Sequence, residues 1–297
     1  VSNCTLGIDH PVVTVRDHAA VLQQYRAIGF NPSPLSYHPW GTVLSLMMFR
    51  DNFIELIGVA DAAKFGTNSV NGFCYGRNVG RFLARAEGLG LVALHSQNAD
   101  VDHARLVACG LASQGRIDFK RAMKKPDGSP DVAVVSLGLF LNETERDVSH
   151  FICHQHRPEL IWVPAWQQHP NGAVAVTAVT YLAAEPQALA DRFAAFYGAA
   201  NLRHDAGALS VQSGCGEFRI WDRSAAKRQF GDVPLPWRTD DAPHGIAITV
   251  STSRFAELAG LWQQNDVAAQ RSPAGSLLLA PQYCGNVILE FIAAKQD

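Results

Sequence analysis

Long apolar runs are missing from this sequence. Nowhere in its 297 residues is there anything near the roughly 18 consecutive apolar residues that a membrane-spanning helix requires, so no membrane partner is expected. The opening, residues 1–10, also lacks the basic-then-apolar pattern of an export signal, which makes a cytoplasmic location the expectation. Charge of either sign is sparse: 25 Lys and Arg against 27 Asp and Glu leave a formal net charge of −2. With 18% charged and 47% apolar residues, the chain is wrong for a disordered segment or a nucleic-acid coat and ordinary for a globular protein that handles small molecules. The six cysteines, at 4, 74, 109, 153, 215 and 284, include no CxxC pair, which excludes a zinc ribbon and a dithiol redox motif. Most are expected to be buried thiols, because a chain of this length builds a core without disulfide staples. There is no phosphate loop, no Gly-x-Gly-x-x-Gly after a strand and no Gly-x-Ser-x-Gly elbow, so neither a nucleotide cofactor nor that type of serine hydrolase is implied.

What is present is repetition. A short apolar strand, then an amphipathic helix and a stop, recurs four times. In the first copy the strand covers 8–15, Asp17 is the N-cap, Val21, Leu22, Tyr25 and Ile28 share a helix face, and Gly29 ends it. The same order returns with strand 89–95 and helix 100–109, strand 173–182 and helix 186–197, and strand 245–250 and helix 253–264. Further β-like runs follow each helix, among them 42–49 and 52–59 in the first copy and 275–279 and 286–292 in the fourth. The expected class is α+β, with four βαβββ modules forming curved mixed sheets. Residues 162–172, with Pro164, Pro170 and Gly172, divide the chain into one pair of modules over 1–165 and another over 173–297. Residues 222–243, holding Pro234, Pro236 and Pro243, are expected to form a surface loop.

Four stretches carry a resemblance: Ile8-Asp9-His10-Pro11-Val12-Val13-Thr14-Val15-Arg16-Asp17, the turn Tyr37-His38-Pro39-Trp40-Gly41-Thr42, Phe53-Ile54-Glu55-Leu56, and the closing Gly285-Asn286-Val287-Ile288-Leu289-Glu290-Phe291. Together they resemble the vicinal-oxygen-chelate superfamily of glyoxalases, bleomycin-resistance proteins and extradiol dioxygenases, in its glyoxalase-like branch. The resemblance implies a lyase or isomerase in which a divalent ion (zinc, nickel, manganese or iron) polarises a small substrate through two vicinal oxygens. The alternatives it admits, in order, are a ring-cleaving dioxygenase with ferrous iron and a metal-free binding protein of the bleomycin-resistance type. A monomer or homodimer is expected.

Within that frame His10 and Glu55, and His244 and Glu290, bracket the first and fourth modules at separations of 45 and 46 residues. Strand alternation places Glu55 with Phe53 and Ile57, and Glu290 with Ile288 and Ile292, among apolar neighbours. An isolated carboxylate there costs several kcal/mol unless it is paired, protonated or metal-bound. If the first and fourth modules face each other, the four residues form one metal site, with Glu55 or Glu290 as the base that the resemblance implies, and His10 should superpose on His244. If modules pair in sequence instead, His95 becomes the alternative ligand, joining His10 and Glu55 in a two-histidine, one-carboxylate triad. His38 and Trp40 are candidates to line the substrate mouth, as are His154 and His156 at His-x-His spacing. The competing assignment for each is structural: a carboxylate in a surface ion pair, a histidine satisfied in core or rim.

Overall fold

In the computed structural model, which describes residues 6–295, the first half runs β1 (Ile8–Thr14), α1 (His18–Ala27), β2 (Ser36–Tyr37), β3 (Thr42–Met48), β4 (Phe53–Val59), α2 (Tyr75–Leu83), β5 (Gly88–His95), α3 (Ala99–Ala108), β6 (Gly115–Lys124), β7 (Pro130–Phe140) and β8 (His150–Gln155). The second runs β9 (Ala173–Leu182), α4 (Ala190–Tyr197), β10 (Leu202–Asp205), β11 (Ala208–Gln212), β12 (Glu217–Trp221), α5 (Arg223–Phe230), β13 (His244–Thr252), α6 (Leu258–Gln264), β14 (Ala269–Arg271), β15 (Leu277–Leu279) and β16 (Ile288–Ala293). Local signals start the helices where the sequence places them. Asp17 accepts from the Ala20 N–H at 2.9 Å and Asn98 from the Val101 N–H at 3.2 Å. No helix among the described residues is long and apolar enough to cross a membrane.

The strands make two curved, mixed, eight-stranded sheets, ordered β2-β3-β4-β1-β5-β8-β7-β6 and β10-β11-β12-β9-β13-β16-β15-β14. Inside each sheet two modules meet through their first strands, β1 antiparallel to β5 and β9 antiparallel to β13. The first module therefore pairs with the second and the third with the fourth; the first and fourth modules meet through their helices and the shared core, and not around a common site. Register also separates His10 from His244. Glu55 lies opposite Val12 and Glu290 opposite Thr249. His10 precedes its reference residue by two positions and His244 by five, so the counterpart of His10 is Ala247. The offset of three residues is roughly 10 Å of strand, and His10 does not superpose on His244.

The connections between paired modules each supply a helix that packs on the inner face of its sheet. Tyr75 and Val79 of α2 join the apolar cluster of the first sheet, and Ala226 and Phe230 of α5 that of the second. Residues 222–243 thus hold more than a loop. The outer strands of the first sheet approach one another, Ser36 donating its hydroxyl to the Ala122 carbonyl at 3.1 Å, so this sheet nearly closes into a barrel. A third apolar cluster spans the two halves, with Ile8, Tyr25, Phe30 and Phe49 packed in one core with Phe193, Phe218, Trp262 and Phe291.

Candidate functional site

Glu55 sits on the inner face of β4 with Phe53 and Ile57, as alternation requires, and is buried. His10 reaches it from β1 because the pairing of β1 with β5 breaks register between Ile8 and His10. This irregularity sends Ile8 into the core shared by both halves while His10 and Val12 face inward. The third group, His38, is fixed by a tight turn in which its N–H donates to the Thr42 carbonyl at 2.9 Å and its Nδ1 meets the Thr42 hydroxyl at 2.9 Å. Gly41 makes that turn possible: its φ is +83°, and a Cβ there would lie 2.0 Å from the Asp61 carbonyl oxygen.

The result is a carboxyl between two imidazoles. Nε2 of His10 lies 3.6 Å from one Glu55 oxygen and Nε2 of His38 lies 3.8 Å from the other. Aromatic rings set both imidazole planes, Phe53 stacking on His10 at 4.3 Å and Trp40 on His38 at 4.7 Å. Behind His10 lies Asp9, wholly buried, with one oxygen 2.5 Å from His10 Nδ1 and the other 2.7 Å from Nδ1 of His95. His95 Nε2 in turn meets the Asp51 carbonyl at 2.8 Å. Burial pushes the Glu55 carboxyl above its ordinary range, against the opposing charges of His10 and Arg121. Burial, reinforced by Arg121 and His10, holds His38 well below the usual histidine value, which keeps it neutral. Burial alone would raise Asp9, but His95 and His10 outweigh it and hold the carboxyl far below its normal range. Burial likewise opposes protonation of His95, yet Asp9 and the Asp51 carbonyl raise it overall.

Glu55, His10 and His38 open on a cavity of about 40 Å³ walled by Trp40, Tyr75, Phe119 and Phe151. Arg121, on the inner face of β6 two residues after Phe119, completes it. A larger cavity of about 440 Å³ opens beside α2, but none of its lining residues is histidine or cysteine, and its Arg85 is already forked onto Asp147 at 2.6 and 2.5 Å.

The other sequence-derived candidates are elsewhere. His95 spends both ring nitrogens on Asp9 and Asp51, so it supports His10 from behind and completes no triad. His154 and His156 do pair, ring centroids 3.9 Å apart with Ser136 at 2.8 Å from His156, but Cys153 and Gln155 are the residues of that segment that line the cavity. His244 contacts the Ala242 carbonyl at 2.7 Å. Glu290 is fully engaged: it accepts from Gln229 at 2.7 Å, Ser276 at 2.8 Å and Thr249 at 2.8 Å, and pairs with Arg219 at 3.4 Å. The quartet His10, Glu55, His244 and Glu290 is therefore split between the sheets, and Glu290 has no oxygen left for a substrate.

The donor set does not fit the divalent ion that the resemblance implies. Register pairs His10 with Ala93 and Val12 with Leu91 across the first sheet, and Ala93 lies opposite Phe151 as Val12 lies opposite Glu55. The second module thus presents Leu91 and Phe151 where the first presents His10 and Glu55. In the second sheet Thr180 and Thr249 are the matching reference residues, opposite Arg219 and Glu290, so one acid is mirrored by a base that neutralises it. Among the described residues no group of three or more His, Cys, Asp or Glu side chains is arranged to hold a metal ion, and the guanidinium of Arg121 shares the cup.

Asp9 and Arg121 were not singled out from sequence. Asp9 falls on the outward phase of an unbroken strand and only the register break reveals it. Arg121 had a readable signal, a charge interrupting the apolar alternation Ile117, Phe119, Met123.

Comparison with known proteins gives a match to the model of the glyoxalase-like domain over residues 8–197. No curated protein matches the chain. Among solved structures, a hypothetical protein from Staphylococcus aureus aligns over 97% of this chain and 99% of its own at a TM-score of 0.67 and 10% identity. A mutant 4-hydroxymandelate synthase from Streptomyces coelicolor aligns over 99% and 94% at 0.54 and 12% identity. A xylose isomerase-like TIM barrel/4-hydroxyphenylpyruvate dioxygenase fusion protein aligns over 99% of this chain and 49% of its own at 0.52 and 12% identity. At these identities the three show a shared fold.

Proposed function

The chain belongs to the glyoxalase-like domain family of the vicinal-oxygen-chelate superfamily, and from that premise we propose that it is a small-molecule enzyme of lyase or isomerase type in which Glu55 moves a proton. The observation that carries this is a buried carboxyl, raised in pKa, lying between two imidazole Nε2 atoms on the wall of a cavity. Asp9 accepts the Nδ1 proton of His10 and so fixes the ring with Nε2 aimed at Glu55. His10 and Glu55 then share one proton and pass it to and from a substrate atom that touches both from the cavity side, while the neutral His38 donates or accepts beside it. The 3.6 Å gap exceeds a hydrogen bond and leaves room for a substrate oxygen to bridge.

Two measurements test this. The Glu55 carboxyl, observed by carbon NMR and assigned by its loss in Glu55→Gln, is expected to titrate above the ordinary 4.5. Small hydroxy and oxo acids in heavy water are expected to exchange carbon-bound hydrogen with the wild type and about 10²-fold or more slowly with Glu55→Gln. A near-stoichiometric metal in protein purified without chelator, lost on Glu55→Gln, would replace proton transfer by metal chemistry.

A further inference from the structure

We propose that Arg121 is the receiving group of an anion subsite in this cup, and that its ligand is a small carboxylate; the inference rests on the cup being the binding site. Arg121 is 7% exposed, and its Nη1 donates to the Ser36 hydroxyl at 2.6 Å. It forms an ion pair with no carboxylate among the described residues, whereas Arg85, Arg157, Arg219 and Arg238 each do. Glu55 acts on it only from beyond ion-pair contact, and a buried guanidinium so placed is destabilising, so the expected occupant of its remaining donors is an anion that arrives with the ligand.

A second observation points into the same space. Trp40, 1% exposed, lines the cavity and has a buried indole N–H without an acceptor, and Gln155 lines it and has a buried side-chain oxygen without a donor. Trp40 packs edge-on against Phe119, which shares the inner face of β6 with Arg121. The cavity wall therefore carries a cation in no ion pair and two residues that each hold a polar group without a partner, the complement of an oxyanion that also bears a hydroxyl. Size narrows the class. About 40 Å³ is roughly the room of one or two water molecules, which admits a carboxylate and little more. One guanidinium also matches a single negative charge and the two-oxygen fork of a carboxylate.

The test uses the full chain with acetate and glycolate as probes, and sodium chloride at equal ionic strength as control. Both carboxylates are expected to raise the melting temperature of the wild type saturably, and chloride is not. Arg121→Met should weaken binding by about tenfold or more, while its ligand-free melting temperature stays level or rises because an unpaired buried charge has gone. Trp40→Phe should weaken binding less. Equal stabilisation by chloride, or equal carboxylate affinity in wild type and Arg121→Met, overturns the proposal. Should Arg121→Met fail to fold, Arg121→Lys decides: weakened carboxylate binding supports the subsite and unchanged binding overturns it. Glu55→Gln should retain carboxylate binding, so binding without any hydrogen exchange in the wild type would remove the proton-transfer function and leave the subsite standing.

Discussion

Asp9 holds two imidazoles at once, and a substitution that keeps its shape but removes its charge separates the two duties. Asp9→Asn leaves a protonated His95 without its partner, which costs about 3–5 kcal/mol for a buried pair. The pH window follows from the two shifts. Asp9 is held below its ordinary 3.8, so its contribution is present above that value and lost as pH falls through the lowered one. His95 is held above its ordinary 6.5, so its contribution is present below that value and lost as pH rises through the raised one. Chemical denaturation should therefore show a larger penalty for Asp9→Asn at about pH 5.5 than at about pH 9. An equal penalty at both would mean that Asp9 acts through packing rather than charge.

At the level of elements, the turn bearing His38 and Trp40 is the most exposed to a small change. Gly41→Ala combines an unfavourable positive φ with a backbone collision and should cost about 1–3 kcal/mol in denaturation. It should also displace His38, which would be seen as a changed titration of Glu55; a normal titration would show that the turn does not position the site. The strand–helix beat was legible because caps and apolar periods are local: Asp17, Asn98, and the runs of β1, β3 and β4 all mean the same thing alone and in the fold. α2 was not, since its N-cap Cys74 makes no side-chain cap and it carries Gly76 and Gly80, poor helix formers. Those glycines exist for packing, because a Cβ at either would lie within 2.8 Å of Phe65. α5 did carry a signal, Asp222 capping Ala225 at 2.7 Å and Gly231 ending the helix, masked by the prolines after it. Module pairing was illegible for a different reason: the spacings of His10 to Glu55 and His244 to Glu290 describe the inside of a module and say nothing of which modules meet. His10, Glu55, His38 and Trp40 were legible as candidates and the fold brings them to one cavity, while the groups beside them, Asp9 and Arg121, depend on a broken register and a distant strand.

Over the whole molecule, the two sheets share a core and are stitched by side chains that behave as backbone. Asn52 donates to the Val176 carbonyl at 2.8 Å and accepts its N–H at 2.9 Å, and the Trp262 indole donates to the Ile28 carbonyl at 2.9 Å. Separating the halves would expose that core to water, so calorimetry should show one unfolding transition rather than two; two resolved transitions would mean that the shared core is energetically minor. The engagement of Glu290 has a further meaning for how the protein can change over time. A carboxylate committed to Arg219, Gln229, Ser276 and Thr249 has exchanged reactivity for structure, and buried polar clusters of that kind are often replaceable by well-packed apolar groups. If the cup of the first sheet carries the function, as proposed, then replacing the Glu290 cluster with well-packed apolar groups should leave activity in place, because that cluster serves the wall against which the first sheet is packed.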